Sequence, residues 1–439
     1  MTRPISHQWR LVEQRWWYAV LAVVVLAIAT AGCSGARHHA AASEAGTGSS
    51  PAQQAQPSGS QPVGAPPLPI APGDGALVAV DARTGRQLWR TPVPMASVSA
   101  PVTGRGLVVV AGTRDCNDPH LSVVAVNAKT GQPAWQRSVA ADNPCSFTPP
   151  LRLAEDVVVV GGPDPDVGGG VAKPGNACDH PVAVNSAATG LDLATGSPRW
   201  QAPAAAGRIL AASAGTVIAD SASPGCLVGL NPATGQIRWT VAPPVIPFDL
   251  HTGGNIAVGQ GEDGPSLAAI GLDCGTGKTR WTTAVPEGDN AGPVEAGDAA
   301  AVATSEQGPN ITLTALATAT GRQLWHDSIQ ANQVWTTIGP GIVVITRFSH
   351  PVDHATIESR DPRTGVRRWQ SGDIGGVGSP VTDGATIVTY SQRDARGFGT
   401  ADGHQLWKVP GSYDAAAVTT DAAYLAQSKP PKNPPGGDG

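Results

Sequence analysis

The sequence predicts an all-β fold: an eight-bladed β-propeller of four-stranded blades, closed by pairing its N- and C-terminal strands. Three observations predict it. The first is a short motif, Ala79-Val80-Asp81-Ala82-Arg83-Thr84-Gly85-Arg86-Gln87-Leu88-Trp89, whose skeleton recurs with tryptophans at 135, 200, 239, 281, 325 and 369 and, in degenerate form, at Asp402-Gly403 and Trp407. The second is its spacing: successive tryptophans lie 46, 65, 39, 42, 44, 44 and 38 positions apart, the period of a repeated four-stranded unit. The third is that two strands' worth of chain precede Trp89 and two more follow Trp407, around Ala415 to Val418 and Ala422 to Ala426. Joining the two ends into one blade leaves no open edge.

Each part of the motif has a physical task. Asp or Asn caps a hairpin connection through its side chain, and the Gly takes the left-handed position that a short bulged loop requires. The Trp then falls at a fixed place in the outgoing strand. A large ring with one N–H to satisfy suits packing between neighbouring units. Upstream, each blade is expected to start with a Pro-Val-like inner strand, as at Pro101-Val102, Pro293-Val294 and Pro380-Val381. A β-branched run follows, such as Leu107 to Val110, Val157 to Val160 or Ile342 to Ile345. Runs that are apolar at every position imply strands covered on both faces, a cover that stacked blades provide.

The repeat resembles the quinoprotein-type (PQQ-like) propeller repeat, whose tryptophan-docking signature Ala79 to Trp89 matches at every defined position. Asn127 and Asn231 replace the Asp, Ala317 replaces it in the sixth copy, and Gly399 in the eighth. The resemblance covers residues 76 to 427 and extends to the BamB lipoproteins, which carry eight such blades behind a lipobox and act as scaffolds in outer-membrane protein assembly. It implies an envelope scaffold. One fold hosts many functions, so the repeat by itself names no activity.

The ends of the chain read differently. Residues 1–33 form an export signal: Arg3, Arg10 and Arg15 supply the positive region, Trp16 to Ile28 the apolar core, and Thr30-Ala31-Gly32-Cys33 the small-residue cleavage site. Cleavage before a Cys resembles a bacterial lipoprotein box, which implies lipidation of Cys33 and a membrane-anchored, extracytoplasmic mature chain. Residues 34–73, rich in Ala, Gly, Ser, Gln and Pro, cannot bury a core and read as a disordered tether. The propeller is expected over 74–428, with 429–439 a Pro/Gly-rich tail.

Only 14% of the 439 residues are charged, with a net charge of -5. That leaves no basic stripe for a nucleic-acid backbone, so nucleic acid is not an expected partner. In an exported chain the cysteines inside the repeat can pair. Cys116, Cys145, Cys178 and Cys226 fall in or beside connections on one face; Cys274 falls in a turn on the other. The expected bridges are Cys116–Cys145 and Cys178–Cys226, with Cys274 free.

The interval from Trp135 to Trp200 is about twenty residues longer than its neighbours, an excess placed at Gly161 to His180. Oxygen ligands at Asp115, Asn117 and Asp118, and at Asp164 and Asp166, lack the longer pattern of a calcium loop. Pro351 between His350 and His354 argues against a helical zinc pair. No metal or cofactor is expected. Trp335 is the one internal Trp outside the repeat; it suits either a ligand platform at the mouth of the central channel or a packing gap between blades.

These features give a non-catalytic scaffold, a monomeric propeller that binds envelope protein partners through loops on one face: residues 112–120, 141–149, 161–181 and 348–355. Two alternatives stand beside it, a quinoprotein-type oxidoreductase and a carbohydrate or small-molecule sensor using Trp335. The first lacks the adjacent pair of cysteines that the resemblance would require against a quinone ring. No Gly-x-Ser-x-Gly elbow, His-Glu-x-x-His pair or phosphate loop is present.

Overall fold

The computed structural model describes residues 75–113, 120–140, 151–161, 178, 188–202, 205–213, 215–221, 225–263, 266–286, 290–291, 294–307, 310–349, 354–375 and 377–428. The chain divides into two units, residues 1–64 and 65–439, and everything described belongs to the second.

Eight antiparallel sheets form an eight-bladed β-propeller. Each blade is named here by its motif tryptophan, which always lies on the outermost strand. The innermost strands of successive blades touch one another round the central axis. In the Trp89 blade the order from outside to inside is Gln87–Val93, Gly75–Asp81, Ala422–Gln427, Ala415–Val418. The two ends of the propeller therefore share one sheet, with Ala79 opposite Tyr424. In the Trp135 blade the inner strand is split into Ser97–Val98 and Val102–Gly104, an interruption that contains Pro101, which has no N–H for the ladder.

The recurring turn is built as its composition requires. In the first copy, Asp81 Oδ1 accepts hydrogen bonds from the backbone N–H groups of Arg83 and Thr84 and from the Thr84 hydroxyl, and Gly85 N–H donates to the Asp81 carbonyl at 2.9 Å. Where the capping side chain is missing the backbone bond survives, Gly321 to Ala317 at 2.8 Å and Gly403 to Gly399 at 2.9 Å. The side-chain cap is thus a supplement to a turn that its glycine already permits.

That glycine answers two demands. All eight copies have φ between 67° and 72°, a region costly for any residue with a Cβ. Each also lies against the indole of the preceding blade: a Cβ on Gly131 would come within 2.6 Å of the Trp89 ring, and one on Gly85 within 2.6 Å of Trp407. The indole N–H of each of the eight docking tryptophans donates to a carbonyl of the next blade, from Trp89 to Ala128 through Trp239 to Cys274, and the series closes from Trp407 back to Ala82. The inter-blade docking expected of these tryptophans is what the structure shows.

The core lies between blades. Eight apolar clusters alternate with the sheets, each drawing side chains from neighbouring blades and most containing a docking tryptophan.

Candidate functional site

Two places in the ring carry side chains that packing alone does not require. One is a groove on the face from which the blade-to-blade connections emerge. The other is a polar arc beside the central axis.

The groove, about 600 Å³, spans the Trp369 blade, the Trp407 blade and the linker into the Trp89 blade. Trp335, on the inner strand Gln333–Gly339, lies edge-on to Phe348 with centroids 4.6 Å apart. Tyr390 and Tyr413 line the same groove. Gly378 lies flat against Tyr390, where a Cβ would meet the ring at 2.5 Å. Below the aromatics, Asp394 pairs with Arg396 at 2.8 Å and Lys408 at 3.0 Å. Burial raises the Asp394 pKa, but these two cations outweigh it and hold the carboxyl below its ordinary value. Asp414, on the rim, accepts from Gln392 at 2.8 Å and from the Ser428 N–H at 2.6 Å.

Trp335 is half-buried against the apolar cluster containing Ile374 and Val377 and walls the groove between the two blades.

The polar arc follows from strand register. A row of paired residues runs inward from each docking tryptophan: Trp200–Gly190–Val159–Arg152, Trp281–Gly271–Val258–His251 and Trp325–Ala315–Val302–Glu295. In the remaining five blades the same innermost position holds Val102, Ala211, Thr337, Val381 or Ala417. One side of the ring at this level is therefore polar, and Val381, Ala417 and Val102 make the other side apolar.

His251 sits between two carboxylates, Nε2 being 3.3 Å from Asp249 and Nδ1 3.3 Å from Glu295 of the next blade. Burial alone lowers the His251 pKa; the charge of Glu295 and the bond to Asp249 prevail and raise it. Burial likewise raises Asp249, but His251 reverses the shift and leaves it low. For Glu295 burial wins over His251, and its pKa is raised. Arg152, two blades before His251, acts on all three through its charge. No signal in the chain could have found this arrangement, because bulges and unequal loops separate these residues from their motifs by different distances.

The remaining expected residues fall as follows. Cys178 and Cys226 are bridged, with Cα atoms 6.0 Å apart. Cys274 is a free, buried thiol whose carbonyl receives the Trp239 indole. His354 pairs with Asp373. Cys33, Cys116, Cys145, Asp115, Asn117, Asp118, Asp164, Asp166 and His350 lie outside the described residues. Among the described residues, no group of three or more His, Cys, Asp or Glu could hold a metal ion.

Solved structures share the architecture at low identity. BamB from Moraxella catarrhalis is 16% identical, with 82% of this chain and 94% of that chain covered and a TM-score of 0.46. Quinohemoprotein alcohol dehydrogenase from Comamonas testosteroni is 12% identical over 83% and 78%, with a TM-score of 0.48. The dihydro-heme d1 dehydrogenase NirN, in complex with DHE, is 13% identical over 80% and 76%, with a TM-score of 0.52. The last of these likenesses bears on fold alone. No curated protein matches the sequence significantly. A family model described as outer membrane protein assembly factor BamB matches residues 36–223 and 225–372. With three quarters of its length matched by that model, and eight docking tryptophans closing its ring, the chain belongs to this PQQ-like propeller family.

Proposed function

We propose that this chain is a non-catalytic binding protein of the bacterial cell envelope, anchored through lipid on Cys33, that holds an extended segment of a partner protein on its loop face. The observation that carries the reading is the groove of Trp335, Phe348, Tyr390 and Tyr413 over the Asp394–Arg396 pair. Rigid aromatic walls with polar groups at the rim are the composition of protein-binding surfaces. The Cys178–Cys226 bridge ties two connections on that same face, and binding residues concentrate on loops held by a rigid scaffold.

Membership of the BamB family supports a scaffold role and an extracytoplasmic location. Dehydrogenases share the fold, so the absence of catalysis rests on this chain's own residues. Its sequence has no adjacent cysteine pair.

A photo-crosslinking residue at Gln392, on the groove rim, should capture a discrete envelope protein in cells, and Trp335→Ala with Tyr390→Ala should abolish that product while the ring stays folded. Deleting 161–173 should weaken capture as well. An unchanged product in the double variant, or reduction of a dye acceptor by protein reconstituted with quinone and calcium, would defeat the proposal.

A further inference from the structure

The eight blades are copies of one plan, so each position can be compared with its seven equivalents. On the third strand, the residue following the one that faces the docking tryptophan is Val80, Val126, Leu191, Leu230, Leu272, Leu316 or Phe398 in seven blades, all buried. In the Trp369 blade it is Arg360, equally buried at 7% exposure. Two residues earlier, four blades carry Val78, Val124, Val228 or Ile270, two carry Thr189 or Thr314 and one carries Arg396, whereas this blade carries Glu358, at 1% exposure. A pair of core positions has become a pair of buried charges.

Arg360 lines a cleft of about 640 Å³ between the Trp325 and Trp369 blades, together with Arg347, Arg367 and Asp327. Glu358 Oε1 is 2.7 Å from Arg360 Nε, and Oε2 is 2.7 Å from Arg347 and 3.8 Å from Arg367. Arg360 reaches across to Asp327 of the neighbouring blade at 2.6 Å, with its guanidinium 5.7 Å from the Trp325 ring centre. Ser328 and Gln330 complete the polar wall.

Burying an ion pair costs several kcal/mol per ion in desolvation, and an apolar pair of similar size is often as stable or more so. Four blades, those of Trp89, Trp135, Trp239 and Trp281, are apolar at both positions, so the fold is content with the apolar version. Departures from a consistent plan are expected at functional or strained sites. The charges do not balance: Arg347, Arg360 and Arg367 face Glu358 and Asp327, an excess of one positive charge. Arg347 Nε is buried with no acceptor, and Arg367, 53% exposed, stands at the mouth.

We propose that this cleft is a binding site for a single carboxylate group, which supplies the missing negative charge and accepts from the Arg347 and Arg367 guanidiniums. Planar guanidiniums match a carboxylate two bonds at a time, which favours it over a spherical anion. The cleft lies within the size range of small-ligand sites. Two sources share this chemistry: the C-terminus of a polypeptide and a small organic acid.

Thermal unfolding of the purified protein tests the proposal with defined probes, namely a hexapeptide with a free C-terminus, the same peptide amidated, benzoate and inorganic phosphate. A ligand that binds only the folded state raises Tm with its concentration. The free-acid peptide or benzoate should raise Tm at millimolar concentration; which of them does so distinguishes the two sources. The amidated peptide should have no effect. Arg367→Gln, at an exposed position, should leave the unliganded Tm within a few degrees and remove the shift. Arg347→Gln gives a second reading of the same loss. The proposal is overturned if no carboxylate shifts Tm, if phosphate alone does, or if the shift persists undiminished in Arg367→Gln.

Discussion

The indole N–H of Trp407 donates a 2.8 Å hydrogen bond to the carbonyl of Ala82, a residue 325 positions earlier in the chain. It is the eighth of a set of equivalent bonds, and the one that no neighbouring repeat could supply. The first and last repeats are thereby docked as any other pair is, and the shared sheet of Gly75–Asp81 with Ala422–Gln427 completes the closure.

Trp239→Ala and Trp281→Ala should each destabilise the ring by about 3–5 kcal/mol, the usual cost of emptying a buried tryptophan site. Both rings are at least nine-tenths buried and bonded to the next blade. Chemical denaturation would measure the loss; midpoints unchanged in both variants would remove the docking role.

Cys226→Ser opens a bridge that spans 48 residues. Loop-closure entropy puts its contribution at about 4 kcal/mol, less whatever strain it carries. The variant should unfold at lower denaturant, and non-reducing peptide maps of the parent should show the Cys178–Cys226 peptide. A map joining either residue to Cys274 would contradict the bridge.

Stability should fall as pH rises from weakly acidic to weakly alkaline, through the trio beside the axis. His251 has a folded pKa above its ordinary 6.5, so its contribution is complete below that value and is lost as pH climbs through the folded pKa. Glu295 is raised above 4.5, so the unfolded chain ionises first and folding is penalised over the same climb. Asp249 is lowered from 3.8 and acts in the opposite sense, losing its contribution only in stronger acid. His251→Gln should therefore flatten the fall in Tm between about pH 5 and 8. Parallel curves for parent and variant would show that the trio is not coupled to folding.

Cys33→Ala should abolish incorporation of labelled fatty acid in cells and release the protein from membranes, since Ala31-Gly32-Cys33 ends an apolar segment. Labelling that survives the substitution would rule out Cys33 as the anchor.

Much of the ring was legible before any coordinates. Asp81, Thr84, Gly85 and Trp89 lie within nine residues, so their turn and strand follow from local chemistry, and repetition multiplies the signal. The closure was legible from two leftover half-blades. The second reason for each turn glycine was hidden, because the indole against Gly131 comes from Trp89, 42 positions before it. Trp335 drew attention as a stray aromatic, whereas Tyr390 and Tyr413 join it only through the packing of two further blades.

By itself the sequence determined the architecture, the number of blades, the docking tryptophans and the joining of the chain's ends, because each is written in a local motif or in its period. Only the tertiary structure decided which side chains meet between blades and round the axis: His251 with Glu295, and Arg360 with Asp327. The physical reason lies in the register. Bulges and unequal loops shift each blade's residues along the chain by a different amount, while ring closure sets them at one level in space. Charges far apart in a linear reading thus become neighbours when each blade docks on the next.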